Sequence, residues 1–247
     1  MNVEGKDFII GRNPVIEALA GGREIEKIMI AKGAEGSIKK IAGMAKDKGI
    51  PIHYSEKRAL DSVSEGANHQ GVIAFVSAHT YCEVDDILRL AEDRKEDPFV
   101  LILDGIEDPH NLGAIIRTAE AAGVHGVIIP KRRAVGITPA VTRASAGASQ
   151  HMLCAKVSNI AQTIDNLKKQ GLWIGACDMG GSEFYTVDLK RRIGLVIGGE
   201  GSGIGKLVRE KCDFICSIPM KGKINSLNAS NAAAILLYEV RKQRDGK

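Results

Sequence analysis

From Pro98 onward the chain repeats one pattern: a short, unbroken apolar run, then a stretch with helical periodicity. The runs cover residues 99–104, 124–129, 151–157, 172–177, 193–198 and 214–218. Between them the spacing predicts helices over 112–122, 139–147, 160–170, 205–211 and 226–243. A strand with one wet face alternates apolar and polar residues; these strands do not. They must be covered on both faces, which in an α/β chain means a parallel sheet with helices above and below. Ligands of such sheets bind beyond the carboxyl ends of the strands. The polar loops expected there are 104–111, 178–181, 198–203 and 219–228.

The first eighty residues form a smaller α/β pattern of their own. Asn13-Pro14 reads as N-cap and first helical residue of a helix stopped by Gly21-Gly22. Residues 27–31 form a β-rich run, and Ser37 caps a helix over 38–48. An edge strand at 51–54, a short helix from Ser55 and an apolar strand over 71–76 complete the unit. The sequence therefore divides into a small domain at 1–78, a linker at 79–97 and a larger domain at 98–247. The linker carries seven acidic against three basic side chains, with room for a helical turn or two.

Composition narrows the setting. No apolar run approaches the roughly 18 residues a membrane helix requires, and residues 1–7 are polar and mixed in charge, unlike a signal peptide. The five cysteines form no C-x-x-C pair; Cys212 and Cys216, four apart on an apolar stretch, read as core. A reduced, cytoplasmic setting is expected. The net charge of +4 conceals an excess of seven positive charges in residues 98–247. There Lys131-Arg132-Arg133, Lys190-Arg191-Arg192 and Lys221/Lys223 flank the candidate loops. Three basic clusters around one site point to a polyanion.

The glycine loop 198–203 fits none of the common nucleotide motifs. A P-loop needs Gly at 200 and Ser or Thr at 207, where the chain has Glu200 and Leu207. The Rossmann glycine spacing is absent. The ordinary methyltransferase motif would need an acidic residue at 199, which is glycine, and belongs after the first strand of a sheet rather than near its end. Upstream, Asp108-Pro109 makes a turn and Asn111 is placed to begin the helix carrying Arg117. Taken singly, Asn111 reads equally well as a plain N-cap and Arg117 as a surface arginine.

Three segments taken together resemble the SpoU (TrmH) family of the SPOUT superfamily, RNA ribose 2′-O-methyltransferases. They are Asp108-Pro109-His110-Asn111 with Arg117, then Ile197-Gly198-Gly199-Glu200-Gly201-Ser202-Gly203-Ile204, then Ile218-Pro219-Met220 with Ser226-Leu227-Asn228. The stretch Gly11-Arg12-Asn13-Pro14 with Glu17-Ala18-Leu19 is similar to the substrate-binding domain of the subgroup acting on ribosomal RNA, an L30e-like fold. The resemblance implies a C-terminal trefoil knot, a homodimer, S-adenosyl-L-methionine as cofactor, no metal, and 2′-O-methylation of a guanosine in 23S ribosomal RNA. It assigns Asn111, Arg117, Glu200, Ser226 and Asn228 to catalysis and Gly198, Ile218 and Leu227 to the cofactor. Arg12, Arg132, Arg133 and Arg143 are the candidate RNA contacts. A tRNA methyltransferase of the same family and a non-catalytic RNA-binding or ribosome-assembly protein are the competing readings.

Overall fold

The computed structural model describes residues 8–21, 25–76, 79–201 and 203–246. The polar start at 1–7, Gly22 of the predicted helix stop and Ser202 of the glycine loop lie outside the described residues. The chain forms two compact units, Met1–Thr80 and Tyr81–Lys247.

The first unit is a four-stranded mixed sheet in the order β1-β4-β2-β3, with strands β1 (Phe8–Ile10), β2 (Ile25–Ala31), β3 (Ile52–Ser55) and β4 (Val72–Val76). Helices α1 (Arg12–Ala20) and α2 (Ile38–Asp47) bury Val15, Leu19, Ile41 and Ala45 against Ile28 and Ile30. Helix α3 (Lys57–Val63) drops Leu60 onto Ile73. Asn13 is not the N-cap of α1. The helix starts two residues earlier than expected, from Gly11 at φ +94°, a backbone turn that needs no side-chain cap. Strand β1, too short for the pattern to declare, pairs antiparallel with β4. The helix expected from Ser55 begins at Lys57, with Glu56 as its N-cap.

The second unit is a six-stranded sheet, every pair parallel, in the order β10-β8-β9-β5-β6-β7. Its strands are β5 (Phe99–Asp104), β6 (Gly126–Pro130), β7 (Leu153–Val157), β8 (Trp173–Glu183), β9 (Ile193–Gly198) and β10 (Phe214–Ser217). Along β5, Phe99, Leu101 and Leu103 pack with α5 (Pro109–Ala121), α6 (Pro139–Ala144) and α9 (Ala229–Arg244). Val100 and Ile102 face the other way, toward α4 (Val84–Asp93), α7 (Ile160–Lys169) and α8 (Lys206–Lys211). Both faces are covered, as unbroken apolar strands require.

Two elements differ from the sequence pattern. The acidic stretch before Pro98 contains α4, a ten-residue helix closed by a capping box between Glu83 and Asp86, with Ile87, Leu88 and Ala91 buried. Acidic residues in its first turn favour the helix through its dipole, so charge density there is a start signal rather than a sign of loose chain. Strand β8 does not stop at Cys177 but runs on to Glu183, its register against β10 shifting between Ile215 and Cys216. Residues 178–181, expected as a loop, belong to that bulge.

Strand order places the site. The chain runs outward from β5 to β6 and β7, crosses over to β8, and then inserts β9 between β8 and β5. The carboxyl ends of β5 and β9 thus lie side by side, with Asp104 in register with Gly198, at the point where strand order reverses.

Candidate active site

The loops leaving β5 and β9 touch through their backbones. A Cβ on Gly199 would sit 2.0 Å from the Gly105 carbonyl oxygen, and one on Gly198 would sit 2.3 Å from the Gly203 carbonyl carbon. Neither position admits a side chain. Asp104 fastens the junction: its carbonyl accepts from the Gly199 N–H at 2.9 Å, and its carboxylate accepts from the Gly205 N–H at 2.8 Å. The loop closes on itself where the Gly203 N–H donates to the Gly199 carbonyl at 3.0 Å. Its glycines therefore serve close backbone passage, and Glu200 is the side chain they present.

Glu200 is met by two amides from distant parts of the chain. Asn111 Nδ2 donates to Glu200 Oε1 at 2.9 Å, and Asn228 Nδ2 donates to the same oxygen at 2.6 Å. Asn228 Nδ2 also donates to Asn111 Oδ1 at 2.9 Å. Each residue is held by the element beneath it. Asn111 is not the N-cap of α5: Asp108 is, with Pro109 in the first turn, and its carboxylate accepts from the Asn111 N–H at 3.0 Å. That frees the Asn111 side chain to face Glu200. Asn228 is the N-cap of α9, which begins three residues later than its predicted start; its Oδ1 accepts from Ser230 N at 2.9 Å and Ser230 Oγ at 2.6 Å. One asparagine thus starts the last helix and turns its amide to the carboxylate.

Beneath the trio lies a cavity of about 650 Å³. Gly198, Glu200, Ile218, Ser226, Leu227 and Asn228 line it, together with Ile197, Leu236, Cys177 and Cys216. Glycine backbone on one side and aliphatic side chains on the other suit a ligand with a flat apolar part and hydrogen-bonding edges. A second cavity of about 600 Å³ shares Glu200 and Gly203 with the first and is lined by Asp108, Asn111, Arg132 and Arg133. Glu200 and the Gly203 backbone form the wall between them.

Arg117 stands apart. Six residues beyond Asn111, it points about 240° round the helix and lies about 9 Å further along it. It is exposed, has no hydrogen-bond or ion-pair partner among the described residues, and lines neither cavity. Arg143 is exposed on α6 and also outside both cavities. Arg12, in the first unit, donates from Nε to the Gln70 carbonyl at 2.9 Å. Asp104, Asp108, Cys177 and Cys216 are not among the site candidates that the sequence offers. The Asp108-Pro109 pair, a capping residue before a first-turn proline, was the signal available for one of them.

A parallel α/β sheet with its ligand cavity between late glycine-rich and asparagine-rich loops at the switch point defines a class of small-ligand-binding enzyme domains. The SpoU rRNA Methylase family profile matches residues 98–238, and a profile described as RNA 2′-O ribose methyltransferase substrate binding matches residues 8–82. A Bacillus subtilis (strain 168) protein, YacO, named to the TrmH family of tRNA/rRNA methyltransferases, is 47% identical over 241 residues, covering 97% of this chain and 96% of its own. A Staphylococcus aureus protein named to the same family is 44% identical over 238 residues, covering 96% of each. Among solved structures, the SpoU methyltransferase AviRb from Streptomyces viridochromogenes superposes with a TM-score of 0.63 at 25% identity, over 98% of this chain and 91% of that one. A crystal structure of AviRb with AdoMet gives a TM-score of 0.62 at 24% identity, over 97% and 91% of the two chains. The chain belongs to the SpoU/TrmH family of RNA methyltransferases. No helix among the described residues is long and apolar enough to cross a membrane.

Proposed function

We propose that this protein transfers a methyl group from S-adenosyl-L-methionine to the ribose 2′-hydroxyl of a guanosine in 23S ribosomal RNA, as a cytoplasmic homodimer. The observation that carries this reading is the Asn111–Glu200–Asn228 trio at the boundary of two cavities, one fit for a small donor and the other edged by Arg132 and Arg133. The cofactor's sulfonium supplies the electrophilic methyl group when bound. Gly198, Ile218 and Leu227 hold it, largely through backbone groups, and Ser226 and Asn228 position ribose and cofactor. The second cavity takes the acceptor nucleotide, with Arg132 and Arg133 on phosphate. Arg12 and Arg143 extend the RNA contact. The stretch 79–97 joins a substrate-binding domain at 1–78 to a catalytic domain at 98–247, and its helix α4 packs on the catalytic sheet.

A ribose hydroxyl attacks only when it is held in line within roughly 3–3.5 Å and its proton is removed. Glu200, fixed by two amides on one oxygen, sets the position of the site wall. Arg117 grips the phosphate beside the target and stabilises the developing oxyanion; a guanidinium, with a pKa above about 12, does not serve as the base. The proton leaves through solvent or phosphate. Because Arg117 lies outside its own chain's cavities, a second copy supplies it. Ile235 and Tyr238, apolar and 37% and 51% exposed on α9, suit the dimer face. The trefoil knot is part of the same reading: β9 enters between strands made earlier, and its loop passes in backbone contact with Gly105.

The test is transfer of labelled methyl groups by the purified protein to 23S rRNA, to tRNA and to neither, with 2′-O-methyl mapping. A single protected guanosine in 23S rRNA is expected. Methylation of tRNA alone moves the substrate to the family's other branch. No transfer to any RNA together with no saturable cofactor binding leaves only the RNA-binding role.

A further inference from the structure

The cavity assigned above to the methyl donor contains a pair of thiols that the transfer reaction does not use. Cys177 on β8 and Cys216 on β10 both line it, with their sulfurs 3.8 Å apart. They follow directly on a register pair, Ala176 opposite Ile215, and the register breaks immediately beyond. Cys216 pairs instead with Ser182, so residues 177–181 leave the β10 ladder as a bulge. Gly180, at φ +79°, lies within it. Cys177 remains in register with Ile197 of β9, while no register pair joins it to β10, the strand that carries its partner thiol.

The 3.8 Å between the sulfurs is the observed distance that a disulfide would have to close. A disulfide brings its sulfurs to about 2.05 Å with Cα atoms 4.4–6.8 Å apart, and neighbouring strands lie about 4.8 Å apart. Side-chain rotation and a small shift of the bulge cover the remaining distance. The S–H···S contact draws the Cys216 thiol below its ordinary range and raises that of Cys177. Burial raises the thiols of Cys82, Cys154 and Cys212. Asp178 and Met179, the next residues of the bulge, line the same cavity, and Asp178 is tied to Arg209 at 2.9 Å. Moving Cys177 toward Cys216 therefore moves the cavity wall.

We propose that Cys177 and Cys216 are a redox-modification site, oxidised by a peroxide to an intrachain disulfide that closes the donor cavity. One sulfur of the pair, as thiolate, attacks the peroxide O–O bond, forming a sulfenic acid and releasing hydroxide, which is protonated to water. The second sulfur displaces hydroxide from the sulfenic sulfur, and that hydroxide takes up the second thiol's proton. In sum, two thiols and one hydrogen peroxide give one disulfide and two waters; the sulfurs lose two electrons and the peroxide gains two. By linkage, a ligand that fits only the reduced cavity protects the thiols.

The proposal rests on the cavity being the methyl-donor site, and the experiment separates the two. The full chain is treated with a slight excess of hydrogen peroxide, mapped by peptide mass spectrometry, and titrated calorimetrically with S-adenosylhomocysteine before oxidation, after it, and after dithiothreitol. The expected result is a Cys177–Cys216 cross-link with loss of about 2 Da. Ligand affinity falls about ten-fold or more, and the reductant restores it. Prior saturation with the ligand slows cross-linking of the unaltered protein. In Cys177→Ser and Cys216→Ser the ratio of affinities before and after oxidation returns to one. No cross-link between these two residues, or a cross-link that leaves affinity unchanged, overturns the proposal. Failure of the reduced protein to bind the ligand contradicts the cavity assignment instead, whatever the cross-link does.

Discussion

Glu200 is the residue on which the site converges, and a single carboxylate oxygen receives both asparagine amides. In Glu200→Gln an amide replaces the carboxylate, so two charge-assisted hydrogen bonds become neutral ones at best. Turnover is expected to fall about 10-fold or more, with far-ultraviolet circular dichroism unchanged; unaltered turnover would remove Glu200 from the site. Asn228→Ala removes both an amide of the trio and the α9 cap, costing about 1 kcal/mol of stability in denaturant unfolding in addition to any loss of activity. Arg117→Lys keeps the charge and loses the fork that grips a phosphate. Its turnover should drop at least about ten-fold, and near-normal turnover with normal RNA affinity would exclude a specific guanidinium role. At this scale the sequence was only partly legible. Asn111 was visible as a helix-start residue, but Asp108 holds the cap, and that is what releases the Asn111 side chain. The meeting of Asn111 with residues 89 and 117 positions away is tertiary and leaves no local periodicity to read.

At the scale of elements, the glycine loop after β9 is fixed by backbone contact. Gly199→Ala puts a methyl group where the Gly105 carbonyl lies. The loops after β5 and β9 must then part, which should weaken donor binding strongly in calorimetry, while the four-stranded unit keeps its own melting transition. Unchanged binding would mean that the loops need not touch. Strands were the most legible elements, because burial on both faces suppresses alternation all along them. The bulge in β8 was hidden, since Asp178-Met179-Gly180-Gly181 carries the composition of a loop and its pairing partner, β10, lies more than thirty residues on. Helix α4 was legible as a helical turn or two, but its charges, the same feature that caps it, concealed its full ten residues.

At the scale of the whole molecule, the second unit carries its own pH sensor of stability. His125 is buried; its Nδ1 accepts from the Phe99 N–H at 3.0 Å, and Nε2 lies 3.0 Å from Glu96. Burial lowers its pKa from 6.5, outweighing the pull of Glu96 in the other direction. The unfolded chain therefore binds this proton more readily than the fold, and the contribution present at neutral pH is lost as pH falls below 6.5. Melting temperature should drop more steeply between pH 7 and pH 5 in the unaltered protein than in His125→Gln; parallel profiles would contradict this.

The fold class was legible from strands and helices in order, but strand order was not. Periodicity reports burial and says nothing of which strand a late one sits beside, and it is the insertion of β9 between β8 and β5 that brings Gly198 to Asp104. The central claim is that the segments 198–203 and 218–228 form one pocket for the methyl donor. Hydrogen exchange of the reduced protein with and without S-adenosylhomocysteine tests it directly. The ligand is expected to slow exchange in both segments together, at the same half-saturating concentration, with no change in the four-stranded unit. Protection of one segment without the other, or only around the second cavity at Arg132 and Arg133, would contradict it.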